Sequence, residues 1–176
     1  VNIYTSPHLI NFNERIRIRK KLISDENLIK ILEKLELKNN FNPITFFEIT
    51  TAAAFVLFKR SNSDFLILET GLGGRLDATN VVPNVIASII TEISFDHEHF
   101  LGSTLSKISK EKCGIIKKGT PVITISQKSE IMGVIKEICL NKNAPLYIVD
   151  KKNFKVSSNS FSFWLNKENI DLPLPV

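Results

Sequence analysis

The stretch Asp64-Phe65-Leu66-Ile67-Leu68-Glu69, running into Gly71-Leu72-Gly73-Gly74, decides the fold class. An apolar run of strand length, bounded by charge and glycine, predicts a strand buried on both faces, as in parallel sheets. Outward from it the pattern repeats. Val85 to Ile93, Pro121–Ser126 and Leu146–Val149 read as further strands, separated by helices from about Thr104 to Lys117 and about Glu130 to Asn141. Upstream, residues 1–5 read as the end of a strand that Ser6-Pro7-His8 breaks. Arg15–Arg19 alternates with period two, as a half-buried strand does. Ser24 with Asp25 and Glu26 starts a helix whose stripe is Leu28, Ile31, Leu32 and Leu35. A second helix opens at Pro43–Glu48, where Thr45 and Glu48 have capping-box spacing, and is apolar enough through Phe58 to be buried. Phe154–Val156 and Phe161–Leu165, joined by Ser-Ser-Asn-Ser, read as a hairpin. The alternation predicts an α/β fold: a mostly parallel sheet with helices on both faces.

Composition narrows the function. The 176 residues, 43% apolar and 23% charged, can bury a core without staples, which excludes general disorder. The net charge of +5 permits an anionic ligand and does not call for nucleic acid. Two cysteines, Cys113 and Cys139, exclude a disulfide scaffold and read as buried free thiols suited to a reducing cytosol. No apolar run approaches the ~20 residues of a membrane helix.

Ligands of open parallel sheets collect beyond the carboxyl ends of the strands. Ser6, Glu69 and Asp96-His97 fall there. A carboxylate after so apolar a strand is costly unless it binds a cation or pairs with a neighbour such as Arg75. Gly71, Gly73 and Gly74 miss the dinucleotide fingerprint, because position 76 is Leu76; they serve either a tight turn or a close approach to a ligand. Asp96-His97-Glu98-His99 is a weak zinc motif, with only three histidines in the chain. On a helical wheel Lys112 lies inside the stripe of Leu105, Ile108, Ile115 and Ile116. An inward lysine snorkels, pairs with a carboxylate, or has a shifted pKa and does chemistry.

Taken together, the chain resembles the folylpolyglutamate synthase/dihydrofolate synthase family of the Mur-ligase-like superfamily. The matching phrases are Tyr4-Thr-Ser-Pro-His-Leu9, Asn13-Glu-Arg-Ile16, Thr45-Phe-Phe-Glu48, Glu69-Thr-Gly-Leu-Gly-Gly-Arg-Leu-Asp-Ala-Thr-Asn80, Asp96-His97, Phe100-Leu-Gly102 and Glu111-Lys112-Cys-Gly-Ile115. They occur in the family's order, and the Glu69–Asn80 run is very specific. After Ile116 the likeness loosens, although Leu172-Pro-Leu-Pro175 fits the family's approach to the end of its ATPase domain.

The resemblance implies an ADP-forming ligase, cytoplasmic and monomeric, that adds L-glutamate to dihydropteroate or folates through an acyl phosphate, with ATP as co-substrate and Mg2+ as cofactor. It implies a P-loop NTPase-like central domain, no nucleic-acid partner and no membrane. It assigns magnesium to Ser6, Glu69 and His97, an N-carboxylated side chain to Lys112, and the pteroate site to Thr45, Phe46, Phe47, Glu48, Leu76, Asp77 and Ala78. The family's P-loop is missing, since the seven glycines begin at Gly71, and so is its C-terminal domain. Residues 1–176 are therefore expected to be one partial ATP-binding domain, inactive by itself. Another Mur-type ligase and a non-catalytic anion-binding module are the alternatives; the Thr45–Glu48 and Leu76–Ala78 segments match the folate branch.

Overall fold

The computed structural model describes residues 1–150 and, beyond them, three strands within 154–173. The chain forms two compact units, Val1–Pro83 and Asn84–Val176.

In the first unit β1 (Asn2–Tyr4), β2 (Ile16–Ile18), β3 (Lys21–Leu22) and β4 (Leu66–Leu68) form a sheet of order β3-β2-β1-β4. β2 is antiparallel to β1, and β4 is parallel to it, with Asn2 opposite Leu66 and Tyr4 opposite Leu68. Helix α1 (Asp25–Lys38) is capped by the Ser24 hydroxyl, which accepts the Asn27 N–H. Helix α2 (Phe46–Lys59) is capped by Thr45. Both helices cover one core with the sheet, built on Tyr4, Ile16, Ile23, Leu28, Ile31, Ala53, Ala54 and Phe58. The expected period-two strand is real over Ile16–Ile18, with Ile16 buried and Arg17 exposed.

The second unit holds a parallel sheet of order β5-β6-β7: β5 (Ser88–Ile90), β6 (Val122–Ile125) and β7 (Leu146–Val149). Helices α3 (Glu98–Leu101), α4 (Leu105–Lys112) and α5 (Ser129–Asn141) contribute Leu101, Leu105, Ile108, Ile131 and Ile135 to a core shared with Ile90 and Val122. β8 (Phe154–Val156), β9 (Ser160–Leu165) and β10 (Glu168–Pro173) make an antiparallel sheet. The expected hairpin is β8–β9; residues 157–159 of its connection lie outside the described residues, and β10 had no signal in the sequence pattern. The α/β class holds and the sheet β5-β6-β7 is wholly parallel, but the first unit's sheet is mixed and β8-β9-β10 is antiparallel, so parallel pairing is not general along the chain.

Two expectations need correction. The Phe65–Leu68 strand is not buried: Phe65 is 55% and Ile67 54% exposed. Among the described residues β4 is the edge of its sheet and pairs with β1. The helix expected from Thr104 to Lys117 ends at Lys112 and tightens into a 3-10 turn over Cys113–Ile115. Tightening advances the residues by ~120° instead of ~100°, so the wheel holds for Lys112 relative to Leu105 and Ile108, two turns and one turn before it in α4, and no longer relates it to Ile115 and Ile116. Leu105, Ile108 and Ile116 are buried as expected, Ser109 and Cys113 are buried beside them, and Lys112 is half-buried.

Candidate functional site

Parallel pairing of β1 and β4 brings both carboxyl ends to the same edge of the sheet. Glu69 N–H continues the ladder onto Tyr4 O at 2.9 Å, and Ser6 N–H donates to Glu69 Oε2 at 2.8 Å. The structure thus joins Ser6 and Glu69, two of the three residues assigned to a cation. Glu69 is exposed, so burial is not what marks it. What marks it is its position at the strand end, with an N–H fixing one carboxylate oxygen.

The second part of the site lies at the start of α2. The Thr45 hydroxyl accepts the Glu48 N–H at 3.2 Å, and Thr45 N–H and Oγ1–H both donate to Glu48 Oε2, at 2.9 and 2.6 Å. These bonds hold the Glu48 carboxyl below the usual carboxylate range, the Thr45 hydroxyl being the larger cause and its N–H the next. The cap and the ligand reading therefore fall on the same residues. Phe46 is exposed and Phe47 half-buried. Phe47 packs on Tyr4 with ring centroids 6.0 Å apart, and Phe46 meets Phe12 edge-on at 5.4 Å. Tyr4 is fully buried, and its hydroxyl accepts from Thr51 Oγ1 at 3.0 Å. That bond pins α2 to β1, and with it the Thr45–Glu48 turn.

The glycine-rich loop closes against this turn. A Cβ on Gly71 would sit 2.4 Å from Phe47 Cζ, so any larger residue there would have to displace the ring. Asp77 ties the loop: Oδ2 accepts the N–H groups of Gly71 (3.0 Å) and Leu72 (2.9 Å), and Oδ1 accepts from Thr79 N (2.9 Å) and Oγ1 (2.6 Å). Leu76 is 80% exposed and Ala78 half-buried beside it. The structure thus brings together Thr45–Glu48 and the loop that carries Leu76–Ala78.

His97 and Lys112 belong to the second unit. His97 is left-handed at φ 50°, which histidine tolerates better than most residues, and it caps α3. Its imidazole is half-exposed, with Nε2 3.5 Å from Asp96 Oδ2. Among the described residues no group of three His, Cys, Asp or Glu side chains could hold a metal. No described helix is long and apolar enough to cross a membrane. Cys113 and Cys139 are buried free thiols, and burial pushes the Cys113 thiol up to about 12.

Two residues escaped the sequence reading. Glu14 accepts the N–H groups of Leu9, Ile10 and Asn11. Gln127 accepts Ile93 N–H at 2.8 Å and donates to Thr91 O and Thr124 Oγ1, at 3.1 and 2.9 Å, holding the chain where it leaves β5 for Asp96-His97. Glu14 stands in the phrase Asn13-Glu-Arg-Ile16, which was a signal; Gln127 had none.

No protein-family model matches the chain. It is 43% identical over 150 residues to the dihydrofolate synthase/folylpolyglutamate synthase of Buchnera aphidicola subsp. Acyrthosiphon pisum, which covers 85% of this chain and 36% of that protein. The solved structure of E. coli FolC in complex with DHPP and ADP superposes with TM-score 0.85 and 31% identity, over 99% of this chain and 42% of that one. A bifunctional folylpolyglutamate synthase/dihydrofolate synthase with Mn, AMPPNP and L-glutamate bound gives TM-score 0.82 and 32% identity, over 99% and 42%. The chain thus spans little more than a third of the curated relative's length. Alike to these relatives both in sequence and in fold, the chain belongs to the dihydrofolate synthase/folylpolyglutamate synthase family.

Proposed function

We propose that this chain supplies the pteroate side and part of the phosphate side of an ATP-dependent ligase that joins L-glutamate to dihydropteroate or folates. The observation that carries the reading is the convergence, within one unit, of the Ser6–Glu69 pair with the Thr45–Glu48 turn and the glycine loop that packs on it. The relatives' solved complexes hold DHPP and ADP in one case, and Mn, AMPPNP and L-glutamate in the other, which supports the same ligand classes here.

In this reading the substrate carboxylate attacks the γ-phosphorus of ATP, giving an acyl phosphate and ADP. The glutamate amine then attacks the acyl carbon, loses a proton and expels phosphate. Phe46 and Leu76, both exposed, offer apolar surface to the pterin and benzoyl rings. Phe47 and Asp77 shape the wall behind them, and Ala78 leaves room for the rings. Glu48, kept ionised by Thr45, can accept hydrogen bonds from the pterin's amino and ring N–H groups. The Ser6 hydroxyl and the Glu69 carboxylate are hard oxygen donors of the kind magnesium prefers. His97 departs from that preference, and its place among the metal ligands rests on family likeness. Bound magnesium would neutralise charge on the transferring phosphoryl group. Lys112, half-buried at the last residue of α4, is assigned by the same likeness a carbamate, formed when its neutral amine adds carbon dioxide and releases a proton. The chain acts on small molecules, as a cytoplasmic monomer.

Dihydropteroate added to the isotope-labelled chain tests the reading. Amide signals of Thr45–Glu48 and Gly71–Ala78 should shift together, and Thr45→Ala should weaken the binding. Shifts confined to other residues, or none, would contradict it.

A further inference from the structure

Three consecutive backbone N–H groups turned towards one point form an anion-binding nest. Such a nest begins three residues beyond Ser6, at Leu9, and this chain fills it with its own side chain. Glu14 Oε2 accepts Leu9 N–H at 2.8 Å; Oε1 accepts Ile10 N–H at 3.1 Å and Asn11 N–H at 2.8 Å. Side-chain burial does not hold this loop, because Leu9 is 93% and Ile10 83% exposed. Its other ties lie on either side of Glu14's. Ser6 N–H rests on Glu69, Arg15 Nε–H donates to His8 Nδ1 at 3.0 Å, and Thr5 N–H donates to Arg15 O at 3.0 Å. Arg15 is itself steadied by the Phe12 ring, 5.0 Å from its guanidinium carbon.

We infer that Glu14 is a positioning residue, whose carboxylate fixes the Ser6–Asn11 loop and so keeps Ser6 against Glu69. The consequence for cation binding rests on the function proposed above; the consequence for the loop does not. A glutamine cannot replace this carboxylate, since its one carbonyl oxygen can serve only one side of the nest and its NH2 would meet an N–H on the other. An aspartate keeps the charge and both acceptors, one methylene short.

The test compares the full 176-residue chain with Glu14→Gln and Glu14→Asp by amide hydrogen exchange, with manganese(II) added afterwards to the same samples. In Glu14→Gln, protection at Leu9, Ile10 and Asn11 should fall about tenfold or more, as expected for hydrogen bonds to a charged group. The Ser6 amide signal should move, while Tyr4, Ile16 and Ala53 stay protected. Glu14→Asp should recover part of the loss, and it decides the question if Glu14→Gln does not fold. Unchanged protection at residues 9–11, or an unmoved Ser6 signal, overturns the inference. So does a loss spread evenly over the core of the unit, which would make Glu14 a general stabiliser. Manganese broadening at Ser6 and Glu69 in the wild type should weaken in Glu14→Gln. A wild type that shows the exchange pattern without any manganese effect upholds Glu14's hold on the loop and removes the cation reading instead.

Discussion

Gly71 lies against the end of the Phe47 ring so closely that a Cβ on it would come within 2.4 Å of Cζ and 2.8 Å of Cε2. This contact locks the glycine loop to the first turn of α2, and the proposed pteroate site exists only if the two stay together. Gly71→Ala should push the ring off Tyr4 and cost about 1–3 kcal/mol, the usual range for an overpacked contact. Thermal melts would show it. A second change, Phe47→Leu, should relieve part of the cost, so that the double variant is more stable than the sum of the singles predicts. Strict additivity would mean that the two residues do not press on each other.

Tyr4 should behave as the pin between sheet and helix. Tyr4→Phe leaves the buried Thr51 hydroxyl without the acceptor it uses at 3.0 Å. A cost of about 1–3 kcal/mol is expected, with hydrogen exchange rising first in α2 near Thr51. A variant as stable as the wild type would show that the hydroxyl pair contributes nothing net.

Acid should loosen the Thr45 turn in a defined direction. The folded-state pKa of Glu48 is depressed, so its stabilisation is complete above the ordinary carboxylate range and is lost as pH falls through the folded value. Thr45→Ala removes the hydroxyl that is the largest cause. The Glu48 carboxyl resonance should then titrate at higher pH than in the wild type. An unmoved midpoint would show that the hydroxyl bond does not form in solution.

How far these features can be read from the chain depends on how local they are. The Ser24 cap and the Thr45/Glu48 box are set within four residues, and both are legible in the amino-acid order alone. Leu146–Val149 is legible to the residue because the apolar run is bounded by Pro145 before it and Asp150-Lys151-Lys152 after it in the amino-acid order. The exposure of Phe65 and Ile67 is not legible, because an apolar run does not state whether its strand is central or at an edge. The end of α4 at Lys112 is not legible either, because the apolar periodicity continues through Ile115 and Ile116. Ser6 and Glu69 are 63 positions apart, and their pairing needs the parallel register of β1 and β4. Glu14 is marked by its place in Asn13-Glu-Arg-Ile16 and by its capping-box spacing from Asn11, whereas the bonds of Gln127 run largely to backbone groups and leave no trace in side-chain pattern.

The second unit offers a check on packing. Ser109 is fully buried in α4, and its hydroxyl has no hydrogen-bond partner among the described residues. Ser109→Ala removes an unsatisfied polar atom and should leave stability unchanged or raise it by up to about 1 kcal/mol. A clear loss in a thermal melt would reveal a partner for that hydroxyl.

Chemical labelling separates the native state from opened states in the same unit. The Cys113 thiol, raised to about 12 mainly by burial, should resist alkylation at pH 8, and so should Cys139, whose pKa burial also raises. Labelling should follow unfolding of the core and occur at both cysteines together. Rapid reaction of native Cys113 would contradict its burial.

Ser6 and Glu69 together, as the cation end of the site, are the centre of this account. The direct measurement is paramagnetic broadening by manganese(II) in isotope-labelled chain, comparing wild type with Glu69→Gln. Broadening that begins at the Ser6 amide and the Glu69 side chain, and disappears in Glu69→Gln while the melt is unchanged, is the predicted result. Broadening that begins elsewhere, or persists undiminished in Glu69→Gln, would contradict it.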